Sequence, residues 1–195
     1  MLKERLKKYK IVLASGSPRR QQFFRDLDLD FEVRLPDVEE TYPDHLVRQE
    51  ITDYLALLKA EAFDAVAENE IVITSDTIVW HNGKALGKPV DFDDAASILK
   101  SLSDATHEVV TSVCFRSKDK TDVIHEVTRV TFHPLTDDEI RFYLEEFKPF
   151  DKAGAYGIQD WIGLVGVARI EGSYANVMGM PVDKVFHYLK AFCHD

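Results

Sequence analysis

Only two cysteines occur in the 195 residues, Cys114 and Cys193, and neither stands in a CxxC or Cys/His spacing suited to zinc. Such scarcity argues against a disulfide framework and for a reducing compartment. Cys114 falls in an apolar, strand-like run and reads as a small core hydrophobe. No apolar run approaches the roughly 20 residues that span a bilayer. The run Ile11–Ala14 behind the Lys-rich start is too short for a signal sequence. The expectation is a cytoplasmic protein without a membrane partner. Basic charge is also short: 24 Lys and Arg face 34 Asp and Glu, a formal net charge of −10. A nucleic-acid polymer needs a stripe of cations. Here there are only two short basic spots, Lys7-Lys8-Lys10 and Arg19-Arg20. A small phosphate ligand needs only a few cations, so overall acidity does not exclude one.

What is present is an ordinary globular composition, 45% hydrophobic and 30% charged. The length suits a single domain over 1–195 with a core of useful size, and residues 1–9 read as an N-terminal extension. The pattern alternates strands and helices. Lys10 to Ala14 is a short buried strand, followed by a turn at Ser15–Pro18 and a helix over Arg19–Leu27. That helix has Pro18 in its first turn and an apolar stripe of Phe23, Phe24 and Leu27. Phe31 to Leu35 reads as a second strand, and Asp37 to Tyr42 as a loop between Pro36 and Pro43. A long amphipathic helix follows over Leu46–Val66, with Leu46, Ile51, Tyr54, Leu55, Leu58 and Ala62 facing inward.

Ile71 to Thr74 is a strand that ends in Ser75-Asp76-Thr77 and resumes through Trp80 to a hairpin turn. Asn82-Gly83 is the type I′ signal for that turn. Asp91 caps a helix over Phe92–Leu102. Glu108 to Phe115 and Thr121 to Phe132 alternate as antiparallel strands. Thr136 and Glu139 form a capping box for a helix to Phe147. A Gly-rich segment from Asp151 to Gly166, two strand-like pieces and a helix after Pro181 close the chain. Mixed α/β architecture, with parallel and antiparallel pairing, is the fold class expected.

Several short stretches carry residue types suited to nucleotide chemistry. Ser15-Gly16-Ser17-Pro18-Arg19-Arg20 joins a strand end, a small-residue turn and a helix start. Free backbone N–H groups and the positive helix end there favour an anion. Ser15 and Ser17 can donate hydroxyls, and Arg19 and Arg20 can fork onto phosphate oxygens. The spacing is not that of a Walker A loop. Asp76 closes an apolar strand, where open α/β sheets place ligands, and can hold a metal or accept a proton. Glu39-Glu40 reads as an acidic turn unless it faces Asp76. In that case paired carboxylates and substrate phosphates suit Mg²⁺. Lys59 reads by itself as a surface lysine. Lys88, between Gly87 and Pro89, is a point charge on a stiff loop. In Asp151–Gln159 two glycines permit close backbone approach, and the Gln159 amide can donate and accept at a nucleobase edge.

Taken in order, these stretches resemble the Maf family of nucleotide pyrophosphatases. The resemblance runs from Ile11 to about Leu189 and includes Gly172-Ser173-Tyr174 with Asn176. It implies an elongated mixed sheet with flanking helices, similar to inosine triphosphatases, with a cleft between two lobes. It also implies hydrolysis of the α–β phosphate bond of a nucleoside triphosphate with Mg²⁺ or Mn²⁺. Asp76 matches the family's proposed catalytic base, and Glu40 would join it on the metal. Arg19, Thr77 and Gln159 match positions that mark a dTTP/UTP subgroup. Lys59 and Lys88 match further cleft residues. The alternatives are a 7-methyl-GTP subgroup, a nucleotide sensor and a non-enzymatic regulator of septum formation. A homodimer is implied by resemblance alone. One departure is Lys148 before Pro149, where the family usually has Glu.

Overall fold

The computed structural model describes residues 2–193. Their contacts divide them into two compact units. The first holds residues up to Asp76, then Thr111–Glu126, then from Gly179 onward; the second holds Thr77–Val110 and Val127–Met178. Seven strands form one mixed sheet in the order β2-β1-β3-β5-β6-β7, with β4 paired to β3.

In the first unit, β1 (Lys10–Leu13) lies parallel to β2 (Phe31–Val33) and to the start of β3 (Glu70–His81). The β1 residues Ile11, Val12 and Leu13 are all buried, as befits a parallel strand covered on both faces. Helix α1 (Leu2–Leu6) belongs to this unit's core: Leu2 and Leu6 pack with Ile11, Phe24, Ile71, Phe115 and Leu189. Burying each leucine contributes about 1.5–3 kcal/mol. Leu2 and Leu6, with Tyr9 partly buried beside them, are therefore part of the packing. Helix α2 (Pro18–Asp26) starts with Ser17 as N-cap and Pro18 in its first turn, and helix α8 (Val182–Phe192) closes the unit.

Helix α3 (Gln49–Glu61) is shorter than the 46–66 expected, and its inner face is rotated. Ile51, Thr52, Leu55, Ala56, Lys59 and Ala60 are buried, whereas Tyr54 is 39% exposed and Ala62 lies at the surface. Apolar spacing selected the wrong edge of the helix because two polar residues on the true inner face have partners. The Thr52 and Ser112 hydroxyls lie 2.6 Å apart, and Ser112 donates to Asp53 at 2.6 Å. Arg116, on β5 (Thr106–Arg116), donates to the carbonyls of Ala60 and Phe63, satisfying the end of α3.

The second unit has its own core. Leu99, Leu102, Val109, Val130, Phe132, Ile140, Tyr143 and Ile162 pack within it. Strand β3 runs unbroken through Ser75-Asp76-Thr77 and turns at Asn82-Gly83 into β4 (Lys84–Leu86). Both turn residues have positive φ, at 48° and 77°, which is the geometry an Asn-Gly hairpin turn requires. Asp91 caps α4 (Phe92–Leu102), and the Thr136/Glu139 capping box starts α5 (Asp137–Phe147). Strand β6 (Thr121–Phe132) pairs antiparallel with β7 (Val167–Glu171).

The Gly-rich segment is not irregular throughout. It holds a 3-10 turn at Ala153–Ala155 and helix α6 (Trp161–Val165). After β7 the chain forms a short helix, α7 (Tyr174–Val177), capped by Ser173. Asn176 anchors it. Its buried amide donates to the Val109 carbonyl and the Thr128 hydroxyl, partners that a local pattern cannot show.

Candidate active site

The turn after β1 is closed by its own serine hydroxyls at the start of α2. Ser15 is buried, and its hydroxyl accepts from the Ser17 amide at 3.3 Å. The Ser17 hydroxyl in turn accepts from the Arg20 amide at the N-terminus of the helix. Arg19 sits half-buried in that first turn. Arg20 points its guanidinium inward. Nε donates to the Gly179 carbonyl at 2.9 Å and Nη1 to the Ser75 carbonyl at 2.9 Å. Burial pulls the Arg20 pKa below its ordinary value, and the neighbouring negative charge of Asp76 opposes that shift. A guanidinium stays cationic throughout. Two of its donors are therefore spent on backbone carbonyls, one of them beside Asp76. This makes Arg20 a brace for the β3 backbone as well as a charge.

The central arrangement follows from strand alternation. Strand β1 leaves the sheet at Ala14, whose amide still bonds the Ile73 carbonyl, while β3 continues. Thr74 and Asp76 share one face of β3. The Thr74 hydroxyl bonds the Ala56 carbonyl of α3 at 2.5 Å. Asp76 must then face the same helix, and Lys59, one turn beyond Ala56, meets it there. Lys59 Nζ lies 2.7 Å from Asp76 Oδ1 and 2.9 Å from Glu40 Oε2. The expectation of a surface lysine is corrected: Lys59 is only 7% exposed. Glu40, exposed in its loop, reaches the carboxylate on β3 through this shared ammonium. Asp76 lies within β3, just past the last residue that β1 pairs, not at the end of the strand.

Asp76 and Glu40 thus converge on the Lys59 ammonium. Two hard carboxylate oxygens suit Mg²⁺ or Mn²⁺ completed by water and phosphate oxygens. Among the described residues no group of three or more His, Cys, Asp and Glu forms a self-sufficient metal cage. The donor set fits a cation shared with a ligand.

Three expected residues belong to the second unit. Thr77 is half-buried on the opposite face of β3 from Asp76. Lys88 is exposed on the loop after β4, and Gln159 is exposed at the tip of a turn. The structure brings the loops of Lys88 and Gln159 together, because the Gly154 amide bonds the Gly87 carbonyl at 3.0 Å. Gly154 has φ 70°, and a Cβ there would meet Val79 Cγ2 at 2.7 Å, so only glycine fits. Sequence reading passed over Tyr143 and Asp160. The Gly157 amide donates to the Tyr143 hydroxyl, which donates to Asp160 Oδ2. A buried tyrosine hydroxyl must find a partner, but nothing local said which.

Known proteins resemble this chain along most of its length. The family model described as Maf-like protein matches residues 10–192. A Flavobacterium johnsoniae protein named dTTP/UTP pyrophosphatase is 62% identical, over 97% of this chain and 98% of that one. One from Flavobacterium psychrophilum is 58% identical, over 97% of each. A Porphyromonas gingivalis protein of the same name is 47% identical, again over 97% of each. Among solved structures, the Staphylococcus aureus Ham1 protein aligns with TM-score 0.54 at 19% identity, over 94% of this chain and 99% of that one. A Coxiella burnetii HAM1 protein aligns with TM-score 0.51 at 16% identity, over the same shares. At these identities the solved structures bear on the fold alone. No described helix is long and apolar enough to cross a membrane.

Proposed function

This chain belongs to the Maf family, and we propose that it hydrolyses dTTP and UTP at the α–β phosphate bond to the monophosphate and pyrophosphate. The observation that carries the reading is the Lys59 ammonium held between the carboxylates of Asp76 and Glu40. The names of the relatives supply the substrate class.

Glu40 and Asp76 are the residues that would hold Mg²⁺ or Mn²⁺, which when bound supplies Lewis-acid neutralisation of the triphosphate. Asp76 accepts a proton from the water that attacks Pα. The bond from Pα to the bridging oxygen breaks, and pyrophosphate leaves with the electron pair. Lys59 keeps the Asp76 carboxylate aimed. Arg19, with the Ser15–Ser17 turn and Lys88, neutralises charge gathering on the leaving group. Arg20 braces Ser75, and so holds Asp76 in place. Gln159 and Thr77 read the O4 and N3–H edge of thymine or uracil. An unpaired amide at the wrong base costs about 1–3 kcal/mol.

The test is a panel of nucleoside triphosphates with Mg²⁺ or Mn²⁺ and identification of products. Pyrophosphate and monophosphate are expected, with dTTP and UTP preferred. Orthophosphate with a diphosphate refutes the bond assignment, and 7-methyl-GTP as best substrate refutes the base assignment. Binding without turnover would favour a sensor or regulator. Asp76→Asn is expected to lose at least about 100-fold in rate with its fold retained.

A further inference from the structure

Gln159 occupies a turn that its own hydrogen bonds hold in shape. The Asp160 amide bonds the Gly157 carbonyl at 3.0 Å, closing Gly157-Ile158-Gln159-Asp160 into a β-turn, and the Gly163 amide bonds the Asp160 carbonyl at 3.0 Å. Ile158 at the second position is buried at 3% exposure, while Gln159 at the third faces outward. The side chains of Gln159 and Asp160 fold back over Gly157. A Cβ there would meet Asp160 Oδ2 at 2.5 Å and Gln159 Nε2 at 2.8 Å.

The turn is tied to α5 through one atom. Tyr143 is fully buried, its ring stacked on Phe147. Its hydroxyl accepts from the Gly157 amide at 3.0 Å and donates to Asp160 Oδ2 at 2.8 Å. The first and last residues of the turn are thus bridged by a phenol on a rigid helix. A second phenol fixes the preceding residue, since the Tyr156 hydroxyl lies 2.7 Å from His107 Nε2 inside the core.

We propose that Tyr143 and Asp160 are positioning residues for base selection. They act through the Gly157–Asp160 turn to hold the Gln159 amide pre-oriented for a pyrimidine edge. This rests on the reading of Gln159 as the base-contacting residue. A side chain that must find its orientation anew with each ligand discriminates poorly, and a supporting shell of hydrogen bonds removes that freedom. Tyr143 touches neither substrate nor reacting atoms, so its effect falls on KM and base choice rather than on the chemical step.

The experiment measures kcat and KM of the full chain for dTTP, UTP, dCTP and CTP, for the natural protein, Tyr143→Phe, Asp160→Ala and Asp160→Asn. Tyr143→Phe keeps the ring and removes the bridge, and Asp160→Ala removes it from its more accessible end. Each is expected to raise KM for dTTP roughly tenfold, to cut the dTTP-over-dCTP ratio of kcat/KM by a similar factor, and to leave kcat within about threefold. Asp160→Asn retains an acceptor for the phenol and is expected to restore most of the ratio. A purely structural bridge would lower Tm and leave the ratio unchanged, and that result overturns the proposal. The natural protein's own profile is read separately. If it prefers a different base, the assignment of substrate fails, while the variants still report whether loss of the bridge weakens whatever preference it has.

Discussion

Replacing Lys59 with methionine isolates what the shared ammonium contributes. Methionine retains most of the apolar stem, so the packing of this face of α3 is largely kept. What remains is the Asp76 carboxylate, with its side chain 10% exposed and its 2.7 Å partner gone. Breaking a buried pair from one side leaves an uncompensated charge, at a cost of 3–5 kcal/mol in typical cases. Arg20 still sends positive charge toward Asp76, which places the expectation at the low end, about 3 kcal/mol. For a chain of this size that is a fall in Tm of about 6–12 °C.

Asp76→Asn differs in kind. The amide oxygen still accepts a hydrogen bond, and Lys59 keeps Glu40 at 2.9 Å. Because Glu40 is 57% exposed, that contact is screened and weak, and the loss is about 1 kcal/mol. The double variant leaves no orphaned charge, so its cost should fall short of the sum by about 1–3 kcal/mol. Urea unfolding of the four proteins, monitored by far-UV circular dichroism, measures all of this. A Lys59→Met protein within about 0.5 kcal/mol of the natural one, or costs that simply add, would refute the reasoning.

Two further outcomes are expected in the second unit. His107 is buried, and burial, reinforced by His81, lowers its pKa to about 3. The unfolded chain binds a proton near pH 6.5 that the folded chain refuses, so stability falls as pH drops from 6.5 toward 3. This group should remove about 2 kcal/mol between about pH 7 and pH 5. His107→Gln, which can still bond Tyr156 but does not titrate, should show a shallower acid limb in urea midpoints, and coincident limbs would contradict it. Gly154→Ala adds a Cβ at φ 70° and 2.7 Å from Val79 Cγ2. A loss of about 2–4 kcal/mol is expected by thermal unfolding. Adding Val79→Ala should relieve the clash but not the backbone strain.

Much of the frame was legible in sequence wherever a structure is decided by neighbours a few residues apart. The Asp91 cap, the Thr136/Glu139 capping box, Pro18 at the start of α2 and the Asn82-Gly83 turn all occur as read. The reading faltered where a polar residue has a distant partner. Apolar periodicity turned α3 toward Tyr54 and Ala62, because it could not count Thr52 and Lys59 as interior residues. The short Tyr174–Val177 helix was not foreseen, because the buried Asn176 that holds it bonds to β5 and β6.

By itself, then, the sequence determined the local elements, the family and the kinds of side chain offered to a ligand, since caps, turns and motif spacings are short-range matters. Only the tertiary structure decided what those side chains do. Lys59 and Asp76 are 17 residues apart, Arg20 and Ser75 are 55 apart, and Arg20 and Gly179 are 159 apart. Whether a lysine is a solvated surface charge or the ammonium between two carboxylates depends on burial and on the partner brought to it. Those are set by how α3 lies on β3, which no short stretch of chain encodes.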